Sequence, residues 1–172
     1  ISPGAYGSLS VGNSCTLNFS AGTYVFTSFN SDKNSLTMNF NTSGGDVTFI
    51  LTNGNFDAKN TLMAAPTGSG QVRFHVLNGN FDAELNTTMT FGSLMVYNGS
   101  ISIGANTNIM GAIFATGNIT VGSGAVIEPV TSVGSPGRLS AAFWSSGTPG
   151  SVTEVCAALP GSGRWECFAL ST

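Results

Sequence analysis

The chain has 172 residues, of which 8% are charged and 10% aromatic, and its formal net charge is −3. Five basic residues leave no electrostatic footprint for nucleic acid, and the 12 Phe residues with so little charge exclude a disordered chain. No apolar run approaches the roughly 18 residues of a membrane-spanning helix, and the first residues lack the regions of a signal peptide. We therefore expect one folded domain, in a mature or trimmed chain, without a membrane span.

The first part of the chain is a series of short strands. Leu9 and Val11 alternate with serines, and Thr16–Phe19 alternates in the same way. A turn at Ala21-Gly22 leads into Thr23–Phe26, and residues 35–40 alternate between apolar and polar side chains. These are the patterns of half-buried β-strands, and nothing in this half predicts a helix.

A unit recurs along residues 7–121, in which a turn with glycine precedes a strand of alternating character; the copies at Gly7–Val11 and Thr27–Asn30 are looser versions of it. Successive copies advance by 20, 27, 25, 20 and 18 residues. The first apolar residues of the copies are Leu9, Phe29, Phe56, Phe81, Ile101 and Ile119. A period near 20 residues in strands punctuated by glycine predicts a β-solenoid of about six coils, where a coil is one full turn of the solenoid.

The two strands that flank the recurring glycine differ in character. The strand after it has an apolar face and a polar face, the polar one carrying Asp57, Asp82, Ser102 and Thr120. The strand before it is apolar on both faces. Aligned on the glycines, its second face comprises Ile50, His75, Leu77, Met95, Tyr97 and Ile113. A strand that is apolar on both sides is usually covered on both sides, so we expect another segment to pack on this face.

The solenoid period ends near Pro129, which predicts a β-helix over residues 1–130 and a tail over 131–172. Residues 152–170 form a predicted hairpin about Pro160–Gly163. Pairing Leu159 with Arg164 across this turn places Cys156 opposite Cys167, a geometry that suits a cross-strand disulfide and an oxidising compartment. Cys15 is left over. We expect it to be a buried thiol, and an intermolecular disulfide is the alternative.

The chain resembles bacterial surface β-helices attached to PilX-type pilus-assembly proteins. The resemblance lies in strings such as Ala21–Phe26, Gly45–Phe49, Asn98–Ile103 and Gly111–Ala115. It implies a right-handed parallel β-helix outside the cell and implies no catalytic residues. Residues 117–128 also resemble bactofilins, which are β-helices that polymerise end to end.

Few residues of the sequence are suited to catalysis. The single histidine, His75, falls in an apolar column, where a packed side chain is expected rather than a general base. Asp57 and Asp82 would stack about 4.8 Å apart in aligned coils, a spacing open to Ca²⁺ or to acid–base chemistry. Their neighbours include few other charges, so a solvated face is the favoured interpretation. We expect no enzyme, no metal and no cofactor.

These observations favour an extracellular structural subunit that assembles with copies of itself. An open β-helix has unpaired strand edges at both ends, and head-to-tail contacts between them generate filaments. The tail would cover the doubly apolar strands of its own or a neighbouring molecule. The expected interface residues are Ile50, His75, Leu77, Met95, Tyr97, Ile113, Phe143, Trp144, Trp165 and Phe168.

Two other functions remain open from the sequence. One is a monomeric adhesion module that binds surface glycans through aromatic side chains such as Tyr6, Tyr97, Trp144 or Trp165. The other is a polysaccharide-active enzyme that uses Asp57 and Asp82.

Overall fold

The computed structural model describes residues 1–31 and 35–129 and, as backbone strands, 140–142, 154–158 and 165–169. The described residues form strands and no helix, which confirms the expected all-β parallel solenoid. Six coils stack along one axis, and each coil contributes one strand to each of three walls. All the pairings between coils are parallel.

The first wall is built from β1, β4, β7, β10 and the C-terminal parts of β12 and β14. Their bounds are Gly4–Ala5, Gly22–Phe26, Val47–Leu51, Val72–Val76, Thr88–Val96 and Asn108–Ala115. The second wall contains β2, β5, β8, β11, β13 and β15. These strands are Leu9–Ser10, Phe29–Ser31, Phe56–Ala58, Phe81–Ala83, Ile101–Ile103 and Ile119–Val121.

The third wall contains β3, β6, β9, the N-terminal parts of β12 and β14, and β16. The strands that belong to it alone are Thr16–Ser20, Leu36–Asn41, Thr61–Met63 and Val126–Glu128. In the last coils the third wall runs into the first through β12 and β14. A register shift between Thr90 and Ser93 marks the bend in β12.

The second wall follows the register that the sequence predicts. Each first apolar residue pairs with its counterpart in the next coil, from Leu9 and Phe29 to Ile101 and Ile119. Between the ends, these side chains point inward and are fully buried, because a period-two strand with one apolar face turns that face to the core.

Aromatic rings stack in columns inside the solenoid. Phe29, Phe56 and Phe81 form one column, with ring centroids 4.6 and 4.8 Å apart and nearly parallel planes. Phe49 and Phe74 stack at 4.8 Å in a second column. Identical residues in register superpose at the strand spacing, so the repeat itself produces the ring stacks that fill the core.

The recurring glycine sits at the corner between the first and second walls. A Cβ atom on Gly79, Gly99 or Gly117 would collide with the carbonyl oxygen of the glycine one coil below. In these three coils close stacking therefore requires a position without a side chain, which explains the glycine that recurs there in the sequence.

The corner between the second and third walls uses a left-handed residue in every coil. These residues are Ser14, Ser35, Asn60, Asn86, Asn106 and Gly124. Asn and Gly tolerate this backbone region best. Buried threonines follow three of them, and their hydroxyls satisfy corner carbonyls; Thr107 donates to the carbonyl of Glu84 at 3.0 Å.

The tail contains a three-stranded antiparallel sheet, β17 (Ser140–Ala142), β18 (Glu154–Ala158) and β19 (Trp165–Ala169). Strands β18 and β19 form the expected hairpin, and their backbone register places Cys156 directly opposite Cys167. The disulfide itself remains a prediction. The backbone of β17 lies close to that of β14.

Candidate functional site

One column of side chains lies on the outer face of the first wall, and we call it the outer column. The strand registers place these residues side by side: Val25, Ile50, His75, Met95 and Phe114. Ile50, His75 and Met95 are half-buried, whereas Phe114 is 43% exposed. The outer column is thus an apolar stripe that crosses five coils and is partly open to solvent.

Tyr97 lies across this stripe. Its hydroxyl is 3.0 Å from Nδ1 of His75 and 3.6 Å from Sδ of Met95, and the Tyr97 and His75 rings are stacked. Burial, and then the charge of Arg73, lower the pKa of His75. The tyrosine hydroxyl donates to Sδ of Met95, and its hydrogen bond with Nδ1 of the neutral imidazole takes the direction that the histidine tautomer sets. The histidine therefore anchors Tyr97, which is 39% exposed.

Five of the expected interface residues on the β-helix lie on this outer face: Ile50, His75, Leu77, Met95 and Tyr97. The sixth, Ile113, was placed there wrongly. It pairs with Leu94, points inward and is 5% exposed, while Phe114 takes the outward position beside Met95.

The error has a simple geometric cause. Four residues, 97–100, join the first and second walls in the fifth coil, but only three, 116–118, join them in the sixth. Alignment on Gly117 therefore shifts the preceding strand by one residue, which exchanges its two faces.

The expected interface residues of the tail are described less fully. Phe143 and Trp144 lie outside the described residues, and for Trp165 and Phe168 only the backbone strand is described. The expected packing of the tail on the outer column therefore remains a prediction. The position of β17 beside β14 is compatible with it.

The C-terminal end of the β-helix is open along the second wall. Ile119 and Val121 continue the inward column of Ile101 and Ile103, which are 0% and 2% exposed, yet they are themselves 37% and 48% exposed. Among the described residues, β15 pairs with β13 alone. Within the described part of the chain, the last coil therefore presents side chains of the core column and a strand edge without a partner.

The N-terminal end has the same character. Strand β2 pairs with β5 alone in the described part of the chain, and Leu9 is half-buried. Tyr6 is 42% exposed and stacks on Phe26 with a centroid distance of 5.3 Å. Cys15 is a free thiol, partly buried against the core of this first coil.

Asp57 and Asp82 are direct partners on the outer face of the second wall, as the repeat predicts. Burial raises the pKa of Asp82; a hydrogen bond with Asp57 opposes this shift and the charge of Glu84 adds to it. Lys59 and Glu84 form an ion pair beside them at 3.3 Å. Among the described residues, no three His, Cys, Asp or Glu side chains are arranged to hold a metal ion.

A family model described as "Domain of unknown function (DUF7305)" matches residues 4–148. The chain belongs to the DUF7305 family. The match extends past Glu128, the last residue of the β-helix strands, and so includes part of the tail of this DUF7305 chain. No curated protein and no solved structure matches the chain.

Within the described residues of the DUF7305 chain, no helix has the length and apolar character needed to cross a membrane. The candidate functional surfaces are the two open ends of the β-helix and the outer column, because apolar side chains are exposed there. A shallow depression of ≈ 200 Å³ lies apart from them, at the corner between the third and first walls near Asn39 and Ala64.

Proposed function

We propose that this DUF7305 chain is a non-enzymatic, extracellular structural subunit that assembles head to tail with copies of itself. The observation that supports this most is the pair of open ends. The last coil exposes Ile119 and Val121 from an otherwise buried column, and the first coil exposes the edge of β2. A second copy stacked on the last coil would bury both side chains and pair both edges.

The open strand edges of the two ends carry the same kind of side chain. If β15 of one copy pairs with β2 of the next as it pairs with β13, Ile119 comes over Leu9 and Val121 over Val11. Aliphatic residues then meet aliphatic residues, as they do between β13 and β15 within the chain. The contact is heterologous and repeats without closing, which is the geometry of a filament.

Composition and the tail support the proposed location and assembly. Charged residues make up only 8% of the chain, and the facing cysteines of β18 and β19 suit an oxidising compartment. The resemblance to pilus-associated β-helices agrees with a surface appendage. In this proposal residues 139–170 cover the outer column of the same or a neighbouring subunit.

Substitutions on β15 test the end contact. Val121→Lys places a charge on the open core column, and Thr120→Lys places the same charge on the outward face of the same strand. We expect wild type and Thr120→Lys to form fibres in negative-stain micrographs and Val121→Lys to remain as single particles. Far-UV circular dichroism verifies that both variants keep the fold.

Two results would contradict the proposal: single compact particles for the wild type at high concentration, or fibres of the Val121→Lys variant like those of the wild type. The role of the tail is tested separately by deleting residues 139–172. Polymers or solubility should then be lost, and unaltered assembly of the truncated chain would exclude that role.

An alternative is a monomeric module that binds surface glycans. The exposed ring of Tyr97, held by His75 and flanked by the amide of Asn98, is the observation that favours it. Sugars stack on aromatic faces of this kind. Compact particles that lose retention on a polysaccharide column after Tyr97→Ala would support this function in place of assembly.

The least favoured alternative is a polysaccharide-active enzyme that uses Asp57 and Asp82. The single histidine is engaged by Tyr97, and the carboxylates face each other on an outer wall. Polysaccharide cleavage that is lost on Asp57→Asn or Asp82→Asn would establish the enzyme and refute the non-enzymatic proposal.

A further inference from the structure

Three Asn-Gly pairs stack at the corner between the first and second walls. They are Asn53-Gly54, Asn78-Gly79 and Asn98-Gly99, in three successive coils. In such a pair the glycine backbone nitrogen can attack Cγ of the asparagine. A C–N bond forms, ammonia leaves, and water then opens the cyclic imide to aspartate or isoaspartate. Glycine favours the attack because it has no Cβ to hinder it.

The structure immobilises the middle pair. The Asn78 amide nitrogen donates to the carbonyl of Thr52 at 3.1 Å, and its Oδ1 accepts a hydrogen bond from Nδ2 of Asn98 at 3.0 Å. The attacking nitrogen, that of Gly79, donates its own proton to the carbonyl of Asn98 at 3.1 Å. Both reacting groups of this pair are therefore held.

The other two pairs are held less. Asn98 donates one side-chain hydrogen bond, to Asn78. Asn53 is exposed, and among the described residues neither its side-chain amide nor the N–H of Gly54 makes a hydrogen bond. The three sites thus share the Asn-Gly dipeptide and the corner, but they differ in the number of hydrogen bonds that hold the reacting groups.

We infer that Asn53 is a site of spontaneous deamidation in the folded protein, that Asn98 reacts more slowly, and that Asn78 is protected. Conversion at Asn53 adds one negative charge to the corner. The isoaspartate product also adds a backbone methylene between β7 and β8, where the coils are held at the strand spacing.

The three sites can be separated in one digest. Cleavage after Lys and Arg by trypsin and after Glu by a glutamyl protease gives peptides 34–59, 74–84 and 85–128. Each of these peptides contains one of the three Asn-Gly pairs. The folded protein is incubated at mildly alkaline pH, and the mass gain on loss of the amide is followed over time in each peptide. A parallel sample in urea gives the rates without the fold.

We expect Asn53 in the folded protein to convert at least about tenfold faster than Asn78, because one net hydrogen bond corresponds to roughly a factor of ten in rate. In urea the three rates should converge. Equal rates for Asn53 and Asn78 in the folded protein, or the same rate differences in urea, would overturn the inference.

A variant isolates the amide contact. Asn98→Ala removes the donor to Oδ1 of Asn78 but keeps the backbone carbonyl that holds Gly79. It should accelerate conversion at Asn78 and leave Asn53 unchanged, with circular dichroism as the check on folding. An unchanged rate at Asn78 in the folded variant would contradict a protective role of the hydrogen bond from Asn98 to Asn78.

Discussion

Phe56 is the residue whose truncation should damage the β-helix most clearly. Its side chain is fully buried, and it stacks between Phe29 at 4.6 Å and Phe81 at 4.8 Å. Truncation of a buried Phe to Ala costs about 3–5 kcal/mol, and each lost ring pair is worth about 0.5–1.5 kcal/mol beyond burial. With the edge-on contact to Phe74 at 5.3 Å, three ring pairs are lost, which places Phe56→Ala near the upper end, about 5 kcal/mol.

Such a loss is a large part of the stability of a single domain, which is about 5–15 kcal/mol. The assay is urea unfolding followed by far-UV circular dichroism, at a protein concentration where only single particles are present. The matched control is Phe114→Ala, the same substitution at a side chain that is 43% exposed, for which we expect a loss below about 1 kcal/mol. Equal losses for the two variants, or a larger loss for Phe114→Ala, would refute the assignment of inner and outer faces.

Three further predictions concern a corner, a wall and the tail. Asn106 has φ 55°, so Asn106→Ala should lower the free energy of unfolding by about 1 kcal/mol, while Asn106→Gly should match or exceed wild type in the same urea titration. Because folding raises the pKa of Asp82, wild type should lose stability as pH rises above about 4. Asp82→Asn should therefore raise the melting temperature at pH 7 and have little effect below the usual Asp range, and an equal gain at low pH would exclude this cause. Cys156 and Cys167 should appear as one disulfide-linked peptide in a non-reducing map, and two free thiols would refute the bond.

The second wall was predictable from the sequence because its strands obey one simple rule. In five of the six strands an apolar residue follows a glycine by two positions, and a polar residue separates it from the next apolar one; the exception is Thr27–Ser31. The apolar residues fill the core. The glycine permits the close contact with the carbonyl oxygen of the coil below, as at Gly79 and Gly99. The register from Leu9 to Ile119 follows directly.

The candidate site was less predictable because it depends on corner length as well as on pattern. Alternation in residues 111–115 is apolar on both faces, so it does not say which face is inside. A corner shorter by one residue decides the question and turns Ile113 inward and Phe114 outward. Only the backbone pairing of the fifth and sixth coils contains that information.

The third wall of the later coils gave little sequence signal. Its independent strands are as short as the three residues Thr61–Met63 and Val126–Glu128. The left-handed corner before it is filled by Ser, Asn or Gly, at distances from the second wall that vary between coils. A recurring Asn-Thr step at positions 86–87 and 106–107 was the available signal, because it combines a left-handed residue with a buried hydroxyl that satisfies the corner.

The uneven spacing of the coils arises mainly at one corner. Between the third and first walls the chain uses residues 42–46 in one coil and 64–71 in the next, whereas in the last coils β12 and β14 continue through this position without a loop. The other two corners vary less, from two to four residues and from two to five residues. Sequence length can therefore change at this edge without disturbing the stacked core, so related chains are free to carry loops of different size and chemistry there. This edge of the domain can therefore display loops that vary while the stacked core stays the same.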